Sequence, residues 1–261
     1  MKSKVERKVT KKPREIGNIF GISFVSTQRA SLTNYLLSSV RKGKKLSVVT
    51  PNPEILVASK RDSLLKEALL TADIRIPDGD GIGFFVPIET IKGRDLFVDL
   101  LTAANEQKLK VFFLGSSEKT ISLLKTKVRD TFPHLSFIAE SGPRLSYDAS
   151  PVSRVDRKKS DEVVSKIQKQ RPHILFVAFG APKQEKWIAN HRFLPVSIQM
   201  AVGGSFDSFV TPSLRPPRVF TSFRLEWLWR LIREPRRFGR IITAVLVFPV
   251  LVVFDKLRQR A

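Results

Sequence analysis

Three apolar runs in this chain end in residues that could move a proton or hold an anion. Ile76-Pro77-Asp78-Gly79-Asp80-Gly81 places a carboxylate between glycines just past a run. Asp78 there could serve as a general base on a hydroxyl, because a carboxylate works once its site tunes it and brings it within hydrogen-bond reach of the proton. Gly79 and Gly81 would let the backbone approach a ligand. The plainer reading of Asp78 is a helix cap or an Asx turn. Thr50-Pro51-Asn52-Pro53 ends a second run, and Thr50 and Asn52 offer neutral hydrogen bonds that suit hydroxyls or amides. Capping alone would also explain Asn52. The third run ends in Gly180-Ala181-Pro182-Lys183-Gln184-Glu185. Pro182 opens a helix there, with Lys183 and Gln184 where a nucleotide phosphate would lie.

Two more glycine-bearing ends add to these. Leu114-Gly115-Ser116-Ser117 leads into a helix whose N-terminus could bind phosphate through backbone N–H groups, although no Gly-Lys-Ser/Thr follows. Val202-Gly203-Gly204-Ser205-Phe206-Asp207 offers Asp207 to a base or ribose, or simply to the helix dipole. Familiar alternatives fail. Asp78 does not start a calcium loop, which would need a ladder of ligands and a final Glu. Phe84 stands where a dinucleotide fingerprint needs its third glycine. His134, His173 and His191 are scattered without metal-ligand spacing, and no Gly-x-Ser-x-Gly elbow is present.

These ends need elements to position them. Strand-like runs fall at 21–25, 46–50, 73–76, 110–114, 135–139, 173–178 and 196–202. Helical patterns lie between them at 28–41, 53–60, 62–71, 95–108, 117–131, 157–170 and 183–190, with Asp62 and Ser117 as caps. Strands alternating with helices predict an α/β fold: a Rossmann-like, largely parallel sheet flanked by helices. Ligands bind such sheets at the carboxyl edge. Residues 141–156 are turn-rich and predict a surface loop beside the cleft.

The chain has 261 residues, 42% of them hydrophobic, and no cysteine. It can fill a core, and neither disulfide nor thiolate chemistry is available to it. Its net charge of +22 implies polyanionic company. Residues 1–17 read as a basic, disordered arm, 18–210 as the α/β core, and 211–261 as an appendage. Residues 211–240 hold eight Arg, two Glu and no Lys, interleaved with Phe223, Trp227 and Trp229. Such enrichment favours bidentate phosphate or carboxylate contacts. Fourteen uncharged residues follow at 241–254, interrupted by Pro249 and flanked by basic residues. The run is shorter than the roughly 20 residues of a membrane span. A buried core helix and a tilted or re-entrant span stay open, while the basic flanks favour an apolar element resting in an anionic membrane face.

Taken in order, Thr50-Pro51-Asn52, Pro77-Asp78-Gly79-Asp80-Gly81, Gly93-Arg94-Asp95-Leu96, Phe112 to Gly115, Gly180 to Glu185, Val202 to Asp207 and Leu225 to Arg237 resemble the WecG/TagA/CpsF family of bacterial glycosyltransferases. The likeness spans roughly residues 20–240. It implies inverting transfer of a sugar, N-acetylmannosamine or a related hexose or uronic acid, from a UDP-sugar to a polyprenyl-diphosphate-linked sugar at the cytoplasmic membrane face, without metal or cofactor. By the same likeness Asp78 is the base, Thr50 and Asn52 line the sugar site, Gln184 contacts the donor and Asp207 the uridine. Arg230, Arg237 and Arg240 would clamp a diphosphate. The resemblance makes a UDP-sugar, the lipid-linked acceptor, an anionic membrane surface and a second copy of the chain the expected partners. Thr90 stands where the family pattern has an arginine three residues before the Gly of Gly-x-Asp-Leu, and Arg215-Pro216-Pro217 replaces an Arg-Ala-Pro segment.

Two rival readings come from other classes. Basic charge with interleaved aromatics would suit RNA, but an apolar terminal run is not something nucleic acid requires, and no nucleic-acid partner is expected. A catalytically idle scaffold of the same fold is the other, against which the presence of Asp78 and Gln184 counts.

Overall fold

Period-two alternation inside the apolar runs decides how each strand is packed. Within 110–115, Val111 and Phe113 belong to one buried cluster and Phe112 and Leu114 to another. Residues 174–178 divide the same way, Ile174 and Phe176 against Leu175 and Val177. Successive strand side chains point to opposite faces, so strands apolar on both faces belong in a sheet covered on both. The computed structural model of the chain describes residues 12–212 and 238–258, with 217, 220, 228 and 229 between them.

Strands β1 (Arg14–Ile19) and β2 (Ile22–Ser26) pair antiparallel as a separate ribbon. The main sheet contains β3 (Leu46–Val49), β4 (Ile74–Arg75), β5 (Lys110–Gly115), β6 (Ser136–Glu140), β7 (Ile174–Ala178) and β8 (Ile198–Ala201). Its order is β4-β3-β8-β7-β5-β6, and every neighbouring pair is parallel. Helices α1 (Arg29–Arg41), α5 (Gly93–Glu106), α6 (Glu118–Thr131) and α9 (Ser205–Val210) supply the apolar cluster on one face. Helices α2 (Pro53–Ser59), α3 (Ser63–Thr71), α7 (Arg154–Gln170) and α8 (Lys183–Asn190) supply the other, with the short α4 (Asp80–Gly83) at the edge. Local chemistry starts the helices: Asn52, Asp62, Ser117 and Ser153 each accept a hydrogen bond from the backbone N–H three residues on. The expected α/β fold is therefore present, and the expected strand and helix ranges differ from it by a few residues at their ends.

Three differences have physical reasons. Residues 14–17 belong to β1, so the expected basic arm does not reach 17; residues 1–11 lie outside the described residues. Residues 22–26 join β1 rather than the main sheet. Arg75 explains both. It is buried, and its guanidinium donates to Ser23 O at 2.9 Å, Leu70 O at 3.1 Å, Ala72 O at 2.5 Å and the Glu15 carboxylate at 2.5 Å. One side chain thus ties the ribbon to the end of α3 and to the sheet, giving the buried cation the partners it needs.

Third, Pro249 does not end the terminal helix. Helix α10 (Phe238–Ile242) runs through a π-helical stretch (Thr243–Val247) into α11 (Phe248–Arg258). Proline lacks the N–H that an α-helix needs and crowds the carbonyl four residues back. Widening the preceding turn to a π-bulge relieves that crowding. Phe248 and Val252 are buried in the second core cluster. The Phe248 ring meets Phe20 and Phe85 edge to face, with centroids 6.1 Å and 5.6 Å away. Leu246, Val250, Val253, Phe254 and Leu257 are exposed. The helix is a core element on one face and an open apolar surface on the other. Among the described residues no helix is long and apolar enough to cross a membrane.

The ribbon tie has a pH signature. The Ser23 hydroxyl above all, with Lys12 and Arg75 acting against burial, holds the Glu15 carboxyl at about 2 instead of its ordinary 4.5. A depressed acid stabilises the fold above its unfolded value, and that contribution is lost as pH falls from about 4.5 toward about 2. Glu15→Gln is expected to cost about 1–2 kcal/mol at neutral pH and to flatten the acid limb of a urea-midpoint profile; an unchanged acid limb would contradict the assignment.

Candidate functional site at the carboxyl edge of the sheet

Parallel strands deliver all their carboxyl ends to one edge. Along that edge the sheet order sets the segments 77–81, 50–52, 202–207, 180–184 and 115–117 side by side, on β4, β3, β8, β7 and β5. From β4 to β7 is three strand spacings, about 14 Å. All five sequence-selected segments share one side of the molecule, while the three histidines add nothing to it: His173 precedes β7 at the opposite edge, and the His191 ring stacks on Trp187.

The first half of the edge is built around Thr50 and Asp78. The Asp78 N–H donates to Pro51 O at 3.1 Å, and the Ile91 N–H to Pro77 O at 3.1 Å, which draws the 89–92 segment over the loop. Gly79 sits at φ 94°, a conformation that side chains rarely adopt, and it turns the chain directly into α4. A β-carbon on Gly81 would lie 3.1 Å from Pro53 Cγ, and one on Gly93 would lie 3.0 Å from Thr50 Cγ2. The Thr-Pro-Asn, Asp-Gly and Gly-Arg-Asp-Leu segments therefore touch. Thr50 is buried and Asp78 half-buried. Asn52 spends its Oδ1 on the Ile55 N–H at 2.9 Å, so it caps α2.

The second half joins β5, β7 and β8. Gly115 has φ 106°, and a β-carbon there would lie 2.6 Å from the Ala178 carbonyl carbon. That close approach lets the Ser116 N–H, at φ 66°, donate to Ala178 O at 2.9 Å and turns the chain into α6. At the start of α6, Thr120 donates to Asp207 Oδ1 at 2.8 Å and sits 2.9 Å from Ser117 Oγ. Asp207 thus fastens the β8 end to the β5 end. Gly180, at φ 78°, has open space around it. Gln184 is 3% exposed; its Oε1 accepts from the Gly203 N–H at 3.0 Å, and its Nε2 donates to Glu185 Oε1 at 2.8 Å. Its direct role is to hold the Gly203 loop.

Lys183, expected at this helix start, has its Nζ 3.3 Å from Leu145 O. Lys186 and Thr120, which also shape this edge, were not foreseen. Lys186, 3% exposed, pairs with Asp62 Oδ2 at 2.7 Å, donates to Tyr147 O at 3.1 Å and lies 4.3 Å from the Tyr147 ring centroid. Burial pushes the Asp62 carboxyl up, but the bond from Lys186, the Leu65 N–H and the Lys186 charge bring it below its ordinary range. These lysines fix the 141–152 loop over α8, and the last residues of the expected loop, 154–156, open α7 instead. A helix start reading Lys-Gln-Glu-Lys signals polar work; Thr120 and Asp62 looked only like ordinary first-turn and cap residues.

Arg230 and Arg237 lie outside the described residues. Arg240 falls within α10, where only its backbone is described. Among the described residues no group of three or more His, Asp or Glu could hold a metal ion.

Gly115 is where the edge is least tolerant. Gly115→Ala would force a β-carbon into the Ala178 peptide and is expected to cost about 2 kcal/mol or more. The urea midpoint measures this, and a wild-type midpoint would show that β5 and β7 can separate at no cost.

With the edge described, comparison with known proteins adds its chemistry. The model of the "Glycosyl transferase WecG/TagA/CpsF family" matches residues 17–261. Two Bacillus proteins named N-acetylglucosaminyldiphosphoundecaprenol N-acetyl-beta-D-mannosaminyltransferase are similar: one from Bacillus spizizenii, 31% identical across 85% of each chain, and one from Bacillus subtilis, 30% identical across 86% of each. A Staphylococcus aureus protein of the same name is 26% identical over 86% of this chain and 87% of its own. The chain belongs to the WecG/TagA/CpsF family of glycosyl transferases.

Proposed function

We propose that this protein transfers N-acetylmannosamine, or a closely related sugar, from a UDP-sugar to N-acetylglucosamine on a polyprenyl diphosphate, in the assembly of a bacterial cell-surface polymer. The observation that carries the reading is the carboxyl edge itself. A half-buried carboxylate at one end and a glycine-lined, helix-bearing half at the other stand on one sheet edge, where β3 pairs with β8. The family membership and the relatives' name supply the sugar and the acceptor.

In this reading Asp78 takes the proton of the acceptor hydroxyl as its oxygen attacks the anomeric carbon. The bond from that carbon to the diphosphate oxygen breaks, and UDP leaves with the electron pair. A single displacement inverts the anomeric centre and needs one base. Thr50 and the amide nitrogen of Asn52 would hold sugar groups. The turns at Gly115-Ser116 and Gly180, with Lys183, would face the diphosphate, and Asp207 the uridine. Negative charge growing on the leaving group calls for donors aimed at it, a role we assign to Arg230, Arg237 and Arg240.

The acceptor's lipid places a demand on the surface, and the terminal helix supports how it is met. Phe248 packs on Phe85, which closely follows the Asp78 loop, while Leu246, Val250, Val253, Phe254 and Leu257 face outward. Exposed Lys60 and Lys66 line a hollow with Asp255 of that helix, and exposed Lys256 and Arg258 stand in its last turn. An apolar stripe with basic company suits peripheral seating on an anionic leaflet, which in this reading is the cytoplasmic one.

Asp78→Asn keeps the shape of the side chain and removes the base. Turnover with UDP-N-acetylmannosamine and a synthetic lipid-diphosphate acceptor should fall by about 10²–10⁴-fold while donor binding persists. Wild-type turnover in that variant would remove Asp78 from the role. Separately, Val250→Glu with Phe254→Glu should abolish flotation with anionic liposomes and leave transfer to a short-chain soluble acceptor intact. Retained flotation would place the membrane face elsewhere, and retention on RNA instead of liposomes would favour a nucleic-acid protein.

A further inference from the structure

Glu185 is a buried carboxyl that the reaction above does not use. It is 1% exposed, and among the described residues the side chain that hydrogen-bonds it is Gln184. Its Oε2 is buried without a hydrogen-bond partner among them. The neighbouring ammonium acts on it only through space: Lys186 gives its contacts to Asp62 and Tyr147 O, and its charge lowers the Glu185 carboxyl less than burial raises it. A side chain this costly to bury needs a reason.

The reason lies one bond further on. A glutamine amide presents an acceptor at one end and a donor at the other. Gln184 must turn its oxygen to the Gly203 N–H, at 3.0 Å, and its nitrogen then points into the protein, where Glu185 Oε1 meets it at 2.8 Å. Without that acceptor Nε2 would be buried and unsatisfied, and the side chain would escape by rotating off Gly203. The β8 turn would then lose its tie to α8. That turn carries Asp207, four residues on, and through Thr120 it reaches the β5 end.

We propose that Glu185 is a positioning residue: its buried carboxyl sets the orientation of the Gln184 amide and so fixes the Gly203–Asp207 turn that shapes the donor half of the site. Burial pushes the Glu185 carboxyl up, toward its neutral form. A neutral acid offers the carbonyl oxygen that Gln184 needs while burying no net charge. The role therefore calls for an acceptor at this place and not for a charge, and a glutamine there should perform it. The structural part stands apart from the transferase reading; only its kinetic consequence rests on that reading.

Hydrogen exchange on the full-length protein tests the structural part, using peptides covering 202–207. Glu185→Met, similar in size and without a strong acceptor, should speed exchange of the Gly203 amide by about tenfold, while Glu185→Gln keeps wild-type protection. Equal protection in wild type and Glu185→Met overturns the proposal, as does Glu185→Gln exchanging as fast as Glu185→Met. Should Glu185→Met fail to fold, Glu185→Gln decides alone: preserved protection supports the proposal and lost protection overturns it. In transfer assays with UDP-N-acetylmannosamine, Glu185→Met should raise the donor KM about tenfold with kcat and the acceptor KM changed far less. A purely structural defect would instead lower kcat and raise both KM values together. If the wild type transfers no sugar, the transferase reading falls and the exchange result alone judges Glu185.

Discussion

Uniform strand polarity is the constraint from which the rest of this molecule follows. Because every neighbouring pair in the six-stranded sheet is parallel, each strand must end at the same edge and return by a helix on one face or the other. The return helices bury the faces, so the edge is where backbone and polar groups are left to work. It is also where six strand ends, contributed from residue 50 to residue 202, come within a few strand spacings of each other. The site is thus less a pocket carved into a fold than the unavoidable meeting place of its turns.

Meeting is not enough, because turns are the softest parts of a chain. Here they are fastened in two ways. Glycine removes the obstructing side chain, so backbone meets backbone at Gly115 against Ala178, and the Thr50 side chain seats against Gly93. Buried polar side chains then bridge turns on different strands: Gln184 to Gly203, Thr120 to Asp207, and Lys186 to Asp62 and Tyr147. Such networks are costly to bury and rigid once satisfied. That is the property a site needs if charge is to find its donors already aimed.

The terminal helix follows a different logic. Its sequence is apolar almost all round, which left burial in a core and contact with a membrane both open. The fold divides them by face. Phe248 and Val252 complete the core beside Phe20 and Phe85, and the opposite side remains apolar and open. Anchoring by aromatic packing rather than by a flexible tether ties the orientation of that open face to the Asp78 loop through Phe85. The boundary in composition after Val210 is therefore not a boundary in packing.

Much of this was legible before any coordinates. The strands and helices announced themselves through alternation, periodicity and caps, which are properties of neighbours in sequence. The site segments were legible because glycine, proline, Asp78 and Gln184 at the ends of apolar runs make poor sense anywhere but at a turn that works. The strand order was not legible, since nothing local says that β8 lies between β3 and β7. Hence the partners it creates were not either: Gln184 with Gly203, 19 residues apart, and Thr120 with Asp207, 87 apart. Nor could local pattern tell that Arg75 would hold an N-terminal ribbon 60 residues away, or which face of the last helix would meet the core. The sequence alone determined which residues could take part; the tertiary structure decided which of them touch, because contact between distant residues depends on strand order and packing, to which no single stretch of chain has access.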